Sequence, residues 1–181
     1  MYTSIKTVIL VFLLSTTSLY ALSETDIKGI MLQRIGSFIS WPQLPEKTIK
    51  ICVVGDNDFA QNLQKLYKDK ELHDRSLDVI SVDSTTDKRI LLSCQIIYIV
   101  NANKNTLNQI AQILKNQTTL IVGNNYDNIY DGAGVVFYLD NNKYKIVINE
   151  KRLSDTHLKA DYRLLKLAKI VEPNGENNEV K

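Results

Sequence analysis

The stretch Ile49-Lys50-Ile51-Cys52-Val53-Val54-Gly55, running straight into Asp56-Asn57-Asp58, decides how the rest of the chain is read. A short apolar run rich in β-branched residues and closed by glycine has the composition of a strand buried on both faces. Asp58-x-x-Gln61 then has the form of a capping box, which predicts a helix to about Lys68 with Phe59, Leu63 and Leu66 along one side. A buried strand feeding an amphipathic helix is the first half of a parallel β-α-β unit.

Downstream the alternation repeats. Residues 77–82 alternate in strand fashion, 87–92 allow a turn or two of helix, and 95–100 (QIIYIV) form a second buried run. Leu107, Ile110, Ala111 and Leu114 fall at helical spacing, and 118–123 (TTLIVG) read as another strand. The pattern then changes: 134–139 and 143–149 are strand-like runs joined only by Asp140-Asn141-Asn142, a link short enough to demand an antiparallel hairpin. Residues 150–170 return to a helical pattern broken near Lys159 or Ala160, and 172–181 (EPNGENNEVK) form a polar tail with nothing to bury. Upstream, Ile27, Ile30, Met31, Ile35 and Phe38 predict an amphipathic helix over 24–40, stopped by Trp41-Pro42 because a residue preceding proline is pushed out of the α region. Trp41 is expected to anchor that helix on the sheet. The expected fold is α/β: a doubly wound, mostly parallel sheet of Rossmann or flavodoxin type, with an antiparallel edge hairpin and flanking N- and C-terminal helices.

The first residues bear on compartment. Lys6 precedes an apolar run that trails into Ala21-Leu22-Ser23, the pattern of a secretory signal over 1–23, with cleavage expected before Glu24 and a cut after Ala21 as the alternative. Loss of Lys6 with the leader leaves 21 basic residues against 20 acidic ones, interspersed along the chain. That balance argues against a nucleic-acid partner, which calls for a basic face. No later segment approaches the roughly 20 apolar residues of a bilayer span, so no span is expected after cleavage. The single domain is therefore expected over 24–171. Cys52 and Cys94 would sit in an oxidising compartment on strands that the doubly wound order makes adjacent, which suggests one disulfide, with two buried free thiols as the alternative.

Catalytic machinery is hard to find. The turn after the first strand, Gly55-Asp56-Asn57-Asp58, presents carboxylates where a phosphate site needs backbone amides, and reads as a helix cap. Gly132-Ala133-Gly134 opens like a dinucleotide fingerprint but runs into Val135-Val136-Phe137, a strand. No nucleophile elbow or P-loop occurs. His73 and His157 stand alone without neighbours at metal-ligand spacing, and read as surface residues. No catalytic residue, cofactor or metal is expected, so the chain reads as a non-enzyme.

The order of Phe38-Ile39-Ser40-Trp41-Pro42, Ile51-Cys52-Val53-Val54-Gly55-Asp56, Cys94-Gln95-Ile96-Ile97-Tyr98-Ile99, Leu120-Ile121-Val122-Gly123, the turn at 131–134, Ile148-Asn149 and Leu164-Leu165-Lys166-Leu167-Ala168 resembles the YfiR-like family of periplasmic proteins across 26–171. The resemblance implies a non-enzymatic periplasmic protein that binds the periplasmic part of an inner-membrane diguanylate cyclase, holds it inactive, and so controls cyclic di-GMP and biofilm formation. It departs from the family where Ala160-Asp161-Tyr162-Arg163 replaces a small, Ser-rich stretch. A small-solute-binding or uptake-associated component is the rival function, and a homodimer is compatible with either. For the partner surface the sequence points to the C-terminal stretch. There Leu153, Leu158, Leu164, Leu165, Leu167 and Ala168 are expected to seat the chain on the domain, leaving Arg152, Asp155, His157, Tyr162 and Lys166 facing outward.

Overall fold

The computed structural model describes residues 22–83, 88–101 and 103–172. The expected leader, apart from Leu22 and Ser23, and the expected tail, apart from Glu172, lie outside the described residues.

Helix α1 (Glu24–Ser37) is opened by Ser23, whose side chain accepts the Asp26 amide while Asp26 accepts the Ser23 amide in return, a complete capping box. It ends three residues earlier than expected, because Ile39–Ser40 leave the helix as a short strand, β1. Strand β2 (Thr48–Val54) follows, then α2 (Asn57–Tyr67). Its cap is Asp56 rather than the expected Asp58: the Asp56 carboxylate takes the Phe59 amide at 2.8 Å. A hairpin that the sequence concealed comes next, β3 (Glu71–Leu72) and β4 (Arg75–Val82), turned by His73 and Asp74 with φ of 51° and 60°. Two consecutive left-handed residues make the mirror-image turn that matches strand twist, though neither residue is the usual glycine.

Helix α3 (Lys88–Ser93), β5 (Ile96–Ile99), α4 (Lys104–Ile113) and β6 (Leu120–Gly123) continue the alternation as expected. After a 3-10 turn at Tyr126–Ile129, β7 (Val135–Asp140) and β8 (Lys143–Asn149) form the antiparallel hairpin, with Asn141 and Asn142 at positive φ in its turn. The main sheet runs β10-β8-β7-β6-β5-β2-β4-β3, where β10 is Ala168–Val171 at the C-terminus. Most of its pairings are parallel, and antiparallel pairs occur at β7-β8 and β3-β4. The hairpin lies one strand in from the edge, because β10 pairs parallel to β8 outside it.

Alternate residues of β2 sort into two cores. Ile51 and Val53 pack with Leu32 and Ile35 of α1 and Phe59, Leu63 and Tyr67 of α2. Cys52 and Val54 pack on the other face with Leu91 of α3 and Leu107 and Ile110 of α4. Each such side chain contributes about 1.5–3 kcal/mol by leaving water, so a strand apolar on both faces requires helices on both. Cys52 and Cys94 form a disulfide with their Cα atoms 6.0 Å apart, joining the link between α3 and β5 to the centre of β2. Trp41 is half-buried against the first core, its ring edge-on to His73 at 5.6 Å.

The continuous C-terminal helical pattern is the largest correction. Helix α5 (Glu150–Asp155) stops because His157 takes a positive φ of 59°, and the Leu158 amide folds back to the Leu153 carbonyl at 2.8 Å. That is a left-handed helix stop formed without glycine. The expected break at Lys159–Ala160 is a short strand, β9, paired antiparallel with β1. Only Tyr162–Leu165 resume as a helical turn, α6, before β10.

Candidate partner-binding surface

In a doubly wound sheet ligands favour the crevice beyond the carboxyl ends of the strands where the order reverses, here between β2 and β5. That position is closed by backbone. Gly55, at φ +89°, lies so near Asn101 that a side-chain carbon would meet the Asn101 amide nitrogen at 3.1 Å. The Val100 amide bonds to the Val54 carbonyl at 3.0 Å across the same place. Among the described residues no group of three or more His, Cys, Asp or Glu gathers as metal ligands would.

The C-terminal strap is different. Residues 159–171 cross from β1 to the far sheet edge, held by β9 on β1 and by the Asp161 amide on the Phe38 carbonyl at 2.7 Å. Leu164 is the buried peg of this segment, whereas Tyr162, Leu167 and Ile170 are 66 %, 71 % and 40 % exposed. Three large apolar side chains left in water within nine residues of one another make this segment the candidate partner surface. Basic groups run between them. Lys166 Nζ sits 4.5 Å from the Tyr162 ring centroid, and the Arg163 guanidinium lies 4.9 Å from the Phe38 ring. Asp161 fixes Arg163 through hydrogen bonds at 3.0 and 3.2 Å, and the same bonds hold the Asp161 carboxyl below the usual range.

The five outward residues expected from sequence are only partly gathered here. Tyr162 and Lys166 stand in contact on the strap. Asp155 and His157 are exposed at the end of α5, Asp155 bridged to Lys151 at 2.9 Å. Arg152 does not face outward: it is half-buried, donates to the Ala111 carbonyl at 3.2 Å, and burial lowers its pKa. Leu167, expected to seat the chain, is instead largely exposed, and Ala168 enters a strand. Sequence reasoning placed Leu167 on a buried helical face that the strap does not have, and gave Ile170 no role, because a helical pattern was expected over 150–170.

Among known proteins, a family model described as YfiR/HmsC-like matches residues 25–169, nearly the whole described chain. The chain belongs to the YfiR/HmsC-like family. This is a regulatory, non-catalytic family, and membership is consistent with a periplasmic regulator of cyclic di-GMP cyclases. No curated protein matches the chain significantly. Among solved structures it resembles a conserved domain protein from Vibrio cholerae O1 biovar eltor (13 % identity, TM-score 0.55) over 82 % of this chain and 60 % of that one. It also resembles an ABC domain in complex with L-Trp from Streptococcus pneumonia (13 % identity, TM-score 0.53) over 69 % of this chain and 55 % of that one. The chain thus spans little more than half the length of either, and the likeness is one of α/β fold. Within the YfiR/HmsC-like match the strap is included up to Lys169.

Proposed function

We propose that this YfiR/HmsC-like protein is a periplasmic, non-enzymatic repressor of a membrane-bound diguanylate cyclase, engaging the cyclase's periplasmic part through the strap at 159–171. The observation that carries the reading is the exposure of Tyr162, Leu167 and Ile170 beside Arg163, Lys166 and Lys169, on a segment whose backbone is pinned at both ends. A rigid presentation lowers the ordering cost of association, and Tyr and Arg are the side chains that most often dominate interface energetics. Basic groups between apolar ones suit a partner surface with exposed carboxylates.

The test is genetic and biochemical together. Deleting the gene should raise cellular cyclic di-GMP and biofilm mass, and the wild-type gene should restore both. Affinity capture of the exported protein from detergent-solubilised membranes should recover a cyclase, identified by its own diguanylate cyclase activity. Unchanged cyclic di-GMP in the deletion strain, together with capture of no cyclase, refutes the proposal.

A further inference from the structure

Away from the strap, a cleft of about 420 Å³ opens beyond the carboxyl ends of β5 and β6, lined by Lys104, Asn125, Asp127, Asn128, Tyr130 and Asp131. Lys104 begins the helix after β5, and the other five belong to the turn after β6. Two polar side chains at this cleft, Asn128 and Asp131, are each only 8 % exposed, which is rare unless such groups are fully paired. Their pairing is incomplete. Asn128 Oδ1 accepts the Asn125 amide at 3.2 Å, but its Nδ2 donors find no protein acceptor among the described residues. Asp131 has one partner among them, Lys104 Nζ at 3.4 Å from Oδ1, which leaves its other carboxylate oxygen open. Asn128 can occupy this place because Gly123 ends β6: a side-chain carbon there would come within 2.6 Å of Asn128 Cβ.

Tyr130, 51 % exposed, forms an aromatic wall of the cleft and is buttressed from behind. Tyr126 meets it edge-on at 5.8 Å, with the two hydroxyls 3.2 Å apart. Tyr126 in turn packs on Tyr138 at 5.7 Å and accepts a hydrogen bond from Lys169 at 3.3 Å. A held ring beside an amide donor and a carboxylate oxygen that no described group pairs is a preorganised recognition site.

The chemistry selects the ligand class. With Asp127 and Asp131 against Lys104, the cleft is net acidic, which disfavours phosphate and other anions. Lys104 already supplies the cation that Asp131 needs, so a second ammonium gains little. A neutral polyol meets the remaining demands: one hydroxyl donates to Asp131 and accepts from Asn128, while an apolar ring face lies on Tyr130. We infer that the cleft formed by Lys104, Asn125, Asp127, Asn128, Tyr130 and Asp131 is a binding site for a neutral pyranose sugar, lined by none of the strap's side chains and linked to the strap through the Lys169–Tyr126 hydrogen bond.

The test is an amide NMR titration of the exported protein with methyl β-glucoside, methyl β-galactoside and N-acetylglucosamine, carried into tens of millimolar. At least one sugar should shift the amides of Lys104 and residues 125–131 saturably. Tyr130→Ala, at an exposed position, and the isosteric Asp131→Asn should each weaken that binding by roughly tenfold or more, with melting checked separately. Should Asp131→Asn fail to fold, Tyr130→Ala decides alone. Absence of saturable shifts with all three sugars overturns the assignment, as do shifts that survive Tyr130→Ala, and so does binding of methylammonium or inorganic phosphate in place of sugar.

Discussion

At the residue scale, the clearest features are polar atoms whose surroundings contradict their chemistry. Tyr98 is fully buried between Phe59 and Phe137, stacked on the latter at 5.4 Å, and its hydroxyl has no hydrogen-bond partner among the described residues. Burial pushes its pKa well above the ordinary phenol value, so it remains a neutral group in an apolar place. An unpaired buried hydroxyl costs about 1–3 kcal/mol, and replacing it with hydrogen removes that cost while keeping the ring. Tyr98→Phe should therefore leave the melting temperature unchanged or raise it; a fall equivalent to more than about 1 kcal/mol would reveal a partner for the hydroxyl. Arg152 and Tyr162 separate stability from binding. Arg152→Ala loses a half-buried stem and the bond to Ala111, and should cost about 1–2 kcal/mol in a thermal melt without weakening cyclase capture. The double change Tyr162→Ala with Leu167→Ala removes only exposed surface, and should leave the melt within about 0.5 kcal/mol while abolishing capture and derepressing cyclic di-GMP.

At the element scale, α1 depends on its N-terminal cap. The box between Ser23 and Asp26 satisfies amides that no helix can satisfy internally, and loss of such a cap costs about 1 kcal/mol. A cut after Ala21 retains Ser23, whereas a cut before Glu24 removes it and places a free amino group on the positive end of the helix dipole. Exported chains beginning at Leu22 should melt at a higher temperature than chains beginning at Glu24, a difference read by calorimetry on the two forms; identical melting would mean the cap contributes nothing. Helices, buried strands and the β7-β8 hairpin were legible because each carries a period or a turn signal of its own. The β3-β4 hairpin was not, since His73-Asp74 holds left-handed backbone without glycine. Nor was the strap: Leu158, Leu164, Leu165 and Leu167 have helical spacing, yet the left-handed His157 ends α5, and pairing to β1 and β8 overrides the period.

At the scale of the whole molecule, the Cys52–Cys94 disulfide ties the central strand to the next parallel strand across 42 residues of chain. Closing a loop of that length in the unfolded state corresponds to about 4 kcal/mol in the chain-entropy account. Reduction, or the pair Cys52→Ala with Cys94→Ala, should lower stability by a comparable amount in denaturant titration. Intact-mass analysis of the exported protein should find no alkylatable thiol until a reductant is added; two free thiols in the unreduced protein would overturn the linkage. Because both cysteines lie in the core between the sheet and α3 and α4, the effect should appear as one cooperative shift rather than local fraying.

Apolar runs and their punctuation determined the α/β class, the parallel order about β2, and the neighbourhood of Cys52 and Cys94, because burial on both faces of a strand leaves a chain little choice of layers. The candidate surface was decided elsewhere. Whether Leu167 is peg or exposed side chain, and whether Arg152 faces solvent or Ala111, depends on which distant strand the C-terminal segment joins. That choice is made by backbone pairing with β1 and β8, interactions between residues far apart in the chain that leave no period in the local sequence.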